Sequence, residues 1–199
     1  MEYYNIAVDG AGLATVADSF AALEQRCEKE KRLSWDEVRA ACADDFAAPG
    51  EERIRCILAS TPMYGYGGTP ADAWAVRVSQ LFAHMIADER TPDGYLTIPG
   101  LFSWANTISF GQSVGATPNG RHAHRPINHG ANPNNGFRKD GAFTAAAKAI
   151  ASVQPGYGNT APFQLELNET VTNREDAVAN IGAVIRTHFD LGGTLVNIN

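Results

Sequence analysis

Gly115-Ala116-Thr117-Pro118-Asn119-Gly120-Arg121 is the stretch that decides how this chain folds. Gly120 supplies a positive φ at almost no steric cost. The Arg121 guanidinium carries several donors in a fixed fork, suited to backbone carbonyls of the same loop. The segment therefore reads as scaffold rather than catalyst. It sits inside a longer tract, residues 111–141, rich in Gly, Asn, Pro and Arg and poor in periodicity. A loop of about 30 residues is uncommon in a compact domain and is usually functional or mobile. The tract also holds His122, His124 and His129. No carboxylate or cysteine lies near them in sequence, and Arg121 and Arg125 oppose a cation, so a metal site is not expected.

Outward from this tract the chain is helical on its N-terminal side. From Ala11 to Leu33, the residues Leu13, Val16, Ala17, Phe20, Leu23 and Cys27 recur at helical spacing. Ser34 and Glu37 form a capping-box pattern for a second helix to about Ala47, stopped by Pro49-Gly50. Glu51 to Ser60 predicts a third helix, acidic in its first turn. The loop from Thr61 to Gly68 is glycine-rich but lacks the Lys-Ser/Thr of a phosphate loop, so it reads as a turn. Thr69-Pro70-Ala71-Asp72 opens a long helix whose expected buried stripe is Trp74, Val78, Leu81, Phe82 and Met85, with His84 beside it as a structural histidine.

Beyond the Thr91-Pro92-Asp93-Gly94 turn, the chain from Tyr95 to Phe110 reads as extended. Phe102, Trp104 and Asn106 then share one face. Two large aromatics on one face of a strand serve either as core or as the wall of a pocket. Ala142 to Val153 predicts a helix, Phe163 to Leu167 a short strand, Thr172 to Phe189 a helix stopped by Gly192-Gly193, and Thr194 to Asn199 a strand. Helices first, then strands alternating with helices, is an α/β arrangement. We read residues 1–199 as one partial domain, mainly helical over 1–90, with strands, the long loop and helices over 91–199.

Composition narrows the function. The 199 residues carry 16 Lys+Arg against 22 Asp+Glu, a net charge of −6, which argues against a nucleic-acid binder. No apolar run reaches membrane-span length and the N-terminus lacks a signal pattern, so neither a membrane nor export is expected. The three cysteines, Cys27, Cys42 and Cys56, show no CxxC spacing. They read as reduced, packed thiols of a cytoplasmic protein.

Four separated segments, in order, resemble the glycyl radical enzymes of the pyruvate formate-lyase type. They are Gly10 to Ser19 (GAGLATVADS), Phe110-Gly111 with Gly115 to Arg121, Gly130 to Gly136 (GANPNNG), and Gly192 to Asn199 (GGTLVNIN). Asn119 stands where the family usually has Asp. The resemblance implies a ten-stranded α/β barrel with helices outside, of which this chain supplies a few strands. It also implies radical C–C, C–O or C–N bond chemistry on a small metabolite, formate acetyltransferase chemistry included. In the family, a glycyl radical installed by a separate iron–sulfur enzyme using S-adenosylmethionine oxidises a cysteine to a thiyl. The cysteine loop is expected before Gly10 and the glycyl motif after Asn199, so neither radical residue is expected here. Arg77-Val78-Ser79-Gln80 resembles the glycyl motif but has Gln80 in place of the glycine and lies in a predicted helix.

On this reading the isolated chain is inactive, carries no catalytic residue, binds no cofactor or metal itself, and has the rest of the barrel as its partner. An activating enzyme and a second copy of the chain are further expected partners. Phe102 and Trp104 are the candidate pocket residues. Gly115, Thr117, Pro118, Gly120 and Arg121 are the structural signature. The alternative is a non-catalytic subunit or binding module completing a split barrel, with the last strand, Leu195 to Ile198, needing a partner edge.

Overall fold

The computed structural model describes residues 4–103, 106–138, 143–154 and 161–199. The first part is a parallel strand pair joined by a helical crossover. Strand β1 (Asn5–Asp9) pairs with β2 (Leu96–Gly100) in the register Asn5↔Leu96 to Asp9↔Gly100. Between them run α1 (Leu13–Leu23), α2 (Trp35–Ala43), α3 (Glu51–Ala59) and α4 (Pro70–Ile86). After β2 come the short α5 (Thr107–Gln112), the long loop and α6 (Phe143–Ser152). The last part repeats the parallel theme: β3 (Phe163–Leu165) pairs with β4 (Val196–Ile198) across α7 (Glu169–Thr172) and α8 (Ala177–Asp190). Parallel pairs bridged by helices are the units from which an α/β barrel wall is built.

The core is made of small residues where helices meet. Ala14, Ala17 and Ala21 on α1 and Ala71, Ala75 and Ser79 on α4 are all buried. Of the stripe expected on α4, Trp74, Val78 and Phe82 do pack against this core, and two members do not. Leu81 and Met85 are 62% and 66% exposed, and His84 is exposed as well. Periodicity marked the helix correctly, but its buried surface also includes small residues, and Trp74 stacks on Phe20 of α1.

The first helix does not run on unbroken. Glu24–Lys29 is a π-helical segment, with a wider turn than α1. It carries Arg26 inward, 7% exposed, to the C-terminal end of α3. There Arg26 Nε donates to the Ile57 carbonyl at 3.1 Å, Nη2 to Ser60 Oγ at 2.9 Å, and Nη1 to Glu30. A cation at a helix C-terminus is favoured by the helix dipole.

Other boundaries differ for local reasons. The extended reading of Tyr95 to Phe110 fails after Gly100. The last rung of the pair is Gly10 N to Gly100 O at 2.8 Å, after which β1 turns into α1 and leaves β2 no partner. Phe110 therefore sits on α5, 45% exposed. The helix expected from Thr172 starts at Ala177, and a separate turn, α7, precedes it, capped by Asn168 accepting from Thr170 N. The final strand has its partner in β3 rather than lacking one. Both capping boxes, Ser34–Glu37 and Thr69–Asp72, form reciprocally. Among the described residues no helix is long and apolar enough to cross a membrane.

The Gly192-Gly193 stop has a packing cause. His188 is fully buried, its Nδ1 lies 3.1 Å from the Ala147 carbonyl, and its ring lies over Gly193. A Cβ at Gly193 collides with that ring. Gly193→Ala is expected to lose about 1–3 kcal/mol of unfolding free energy in urea. Adding His188→Ala is expected to make the two losses clearly less than additive; strict additivity contradicts this packing.

Candidate functional site

A cleft of about 640 Å³ opens where the long loop meets α6 and β3, in the size range of small-molecule pockets. Its wall includes Asn128, His129, Asn132, Asn134, Phe137, Phe143 and Phe163. The asparagines are held from behind. Asn128 Oδ1 accepts from Thr15 N at 3.3 Å, and its Nδ2 donates to the Gly130 and Asn132 carbonyls. Asn132 Nδ2 donates to the His129 and Pro162 carbonyls, and its Oδ1 accepts from Gln164 N. Asn132 thus ties the loop to β3.

Asn134 reaches α1. Its Nδ2 donates to Asp18 Oδ2 at 2.6 Å, and its Oδ1 accepts from the Thr15 hydroxyl at 3.4 Å. Asp18 Oδ1 accepts from Tyr64 N at 2.7 Å, while the fully buried Tyr64 donates its hydroxyl to Ala131 O. Thr15 and Asp18 belong to the GAGLATVADS segment and Asn132 and Asn134 to GANPNNG, so two distant sequence signatures are one hydrogen-bonded unit. Sequence spacing gave no sign of this pairing, because more than a hundred residues separate the partners.

Burial raises the Asp18 carboxyl to about 6, against the hydrogen bonds from Tyr64 and Asn134. The raised value fixes the sign of its contribution. The folded chain binds this proton more tightly than the unfolded chain. Its contribution to stability is therefore fully present below about pH 4 and is lost as pH rises through about 6.

The signature loop beside the cleft is built on Arg121. Nη1 donates to the His122 and Arg125 carbonyls at 3.0 and 2.7 Å; Nη2 donates to those of Val114 and Gly115 at 3.3 and 2.6 Å. Thr117 N donates to Arg121 O, closing the turn that contains Pro118. Gly120 takes φ +84° and packs on α3, where a Cβ would lie 2.9 Å from the Ala59 Cβ. Asn119 accepts from the Thr117 hydroxyl at 2.7 Å, closing the turn with its own side chain.

The three loop histidines point to different neighbours. His122 Nδ1 lies 3.2 Å from Asp45, His124 Nδ1 lies 2.7 Å from the Gln112 carbonyl, and His129 packs edge-on against Phe102. Burial lowers the His129 pKa. Phe102 is half-buried and stands edge-on to His129, which lines the cleft. Trp104 lies outside the described residues. The cysteines lie elsewhere, on the π segment, α2 and α3, and burial pushes the Cys27 and Cys42 thiols up. The glycine-rich loop before α4 is occupied by the chain itself. The Asp72 carboxylate accepts from the N–H groups of Gly65, Gly67 and Thr69. An anion has no place left in it.

Known proteins share this fold. The Pyruvate formate lyase-like family matches residues 1–111. The chain belongs to that family. Isethionate sulfite-lyase of Desulfovibrio desulfuricans is 28% identical over 187 residues, covering 90% of this chain and 22% of that protein. A solved structure from 1,2-propanediol dehydration in Roseburia inulinivorans superposes with a TM-score of 0.91 at 25% identity, covering 99% of this chain and 26% of that one. A glycyl radical enzyme from Archaeoglobus fulgidus matches with a TM-score of 0.85 at 26% identity, covering 100% and 25%. This pyruvate formate lyase-like chain therefore spans about a quarter of the length of the proteins it matches. The resemblance read from the signature segments is borne out, as is the partial α/β barrel.

Arg121→Lys keeps the charge but loses the planar fork. It is expected to lower unfolding free energy by about 2 kcal/mol or more, measured in urea. An unchanged midpoint contradicts the role given to Arg121.

Proposed function

We propose that this chain forms part of the barrel wall of a glycyl radical enzyme that makes or breaks a C–C, C–O or C–N bond in a small metabolite. The single observation that carries the reading is the Thr15/Asp18 to Asn128/Asn134 unit. It joins two family signatures into the wall of a cleft of small-molecule size. The similarity over nearly the whole chain to a glycyl radical enzyme supports it further. Phe102 positions the His129 ring on that wall.

The radical chemistry belongs to residues beyond those described. None of the three cysteines lines the cleft, and burial raises the Cys27 and Cys42 thiols, which makes those two poor reactive centres. Arg77-Val78-Ser79-Gln80 lies within α4, with Ser79 buried, so it is no exposed finger loop. What this chain's own residues supply is shape and hydrogen-bonding order at the cleft. The rest of the barrel and a radical-installing activating enzyme are its partners in this proposal, and the cytoplasm its compartment.

Anaerobic incubation of the chain alone with an S-adenosylmethionine-dependent activating enzyme is expected to give no glycyl radical signal in electron paramagnetic resonance. Assembly with a barrel segment bearing the cysteine loop and glycyl motif is expected to give the signal. A radical on the chain alone overturns its inactivity. Failure of the assembled pair to bind or to form the radical overturns the barrel-wall role.

A further inference from the structure

Asp18 is the one buried carboxyl among the described residues, 4% exposed. Its two oxygens meet donors of different kinds. Oδ1 takes the Tyr64 backbone N–H, which cannot be reversed. Oδ2 takes Nδ2 of Asn134, whose carboxamide can turn over. The other end of that carboxamide accepts from the Thr15 hydroxyl, which also reaches Asn128 Oδ1 at 3.5 Å. Asn134 itself lines the cleft.

We propose that Asp18 is the positioning residue of the cleft wall: it selects which way the Asn134 carboxamide faces, and a proton on Asp18 turns that carboxamide over. The orientation follows from donor and acceptor chemistry. An ionised carboxylate only accepts, so Asn134 must offer it the amino group. A proton taken from solvent settles on Oδ2, because Oδ1 stays an acceptor for Tyr64. Oδ2–H then donates and cannot face an N–H. Asn134 makes a half turn about χ2, its Oδ1 accepts from Oδ2–H, and its Nδ2 donates to the Thr15 oxygen. Thr15 swings its hydrogen to Asn128 Oδ1. No bond other than hydrogen bonds is made or broken.

Every polar group is satisfied in both states, so neither carries the penalty of an unpaired buried group. The wall nevertheless changes, because carbonyl and amino ends of Asn134 exchange places. An occupant of the cleft that prefers one orientation is then linked to uptake or release of one proton.

The surroundings support this. Burial places Asp18 near 6, and the Asp72 carboxylate on α4 pushes in the same direction. The Tyr64 phenol, the other titratable group against it, is driven well above its ordinary value by burial and stays neutral.

The inference does not rest on the reaction proposed above. Its test is a titration of the full chain, labelled with carbon-13 and nitrogen-15, from about pH 7.5 to 4.5. The Asp18 carboxyl carbon and the Asn134 side-chain amide are expected to move with one shared midpoint of about 6. Asp18→Asn mimics the protonated acid and is expected to hold the Asn134 signals at their low-pH positions with no inflection. Asp18 titrating while Asn134 stays fixed overturns the proposal, as does an Asp18 midpoint in the ordinary carboxylate range. The titration of the unmodified chain decides the matter if Asp18→Asn does not fold.

Discussion

The buried carboxylate of Asp18 is the constraint on which the rest of this structure depends. A charge taken out of water must be met by donors. The donors here come from two places that share no local sequence, the Tyr64 backbone and the Asn134 side chain. Because both are needed at once, α1, the turn before α4 and the asparagine-rich loop are fixed relative to one another. Asn128 and Asn132 then extend the same hydrogen bonding to β3. The cleft is the space this arrangement leaves open.

The same logic explains the chain's unusual economy of large apolar residues at its centre. Alanines at the α1–α4 contact let the two helices approach closely, and that approach keeps Asp18 and Asp72 near the Tyr64 turn. Asp72 fills the glycine-rich turn with its own carboxylate, so that turn is a structural joint. Arg26 and Arg121 perform the equivalent task with positive charge, gathering carbonyls at the end of α3 and around the signature loop.

Much of this was legible from residues alone. Capping boxes at Ser34 and Thr69, the helices, and the family signature are local patterns, and local physics writes them directly into sequence. The misreadings arose where partners far along the chain decide. The stripe of α4 held at Trp74, Val78 and Phe82 but not at Leu81 and Met85, and the buried small residues Ala71, Ala75 and Ser79 were missed. The extended run ended at Gly100 because β1 ends at Asp9. The strand β1 itself was missed, although its burial alternates residue by residue, because a five-residue run is a short signal. The Asp18–Asn134 contact was not readable at all from spacing.

The most direct measurement is a double-mutant cycle between Asp18 and Asn134, using alanine at each position and urea unfolding at neutral pH. The account predicts a coupling of about 1–3 kcal/mol, as for buried partners in one network. Losses that add to within about 0.3 kcal/mol would contradict it, since the two residues would then act independently.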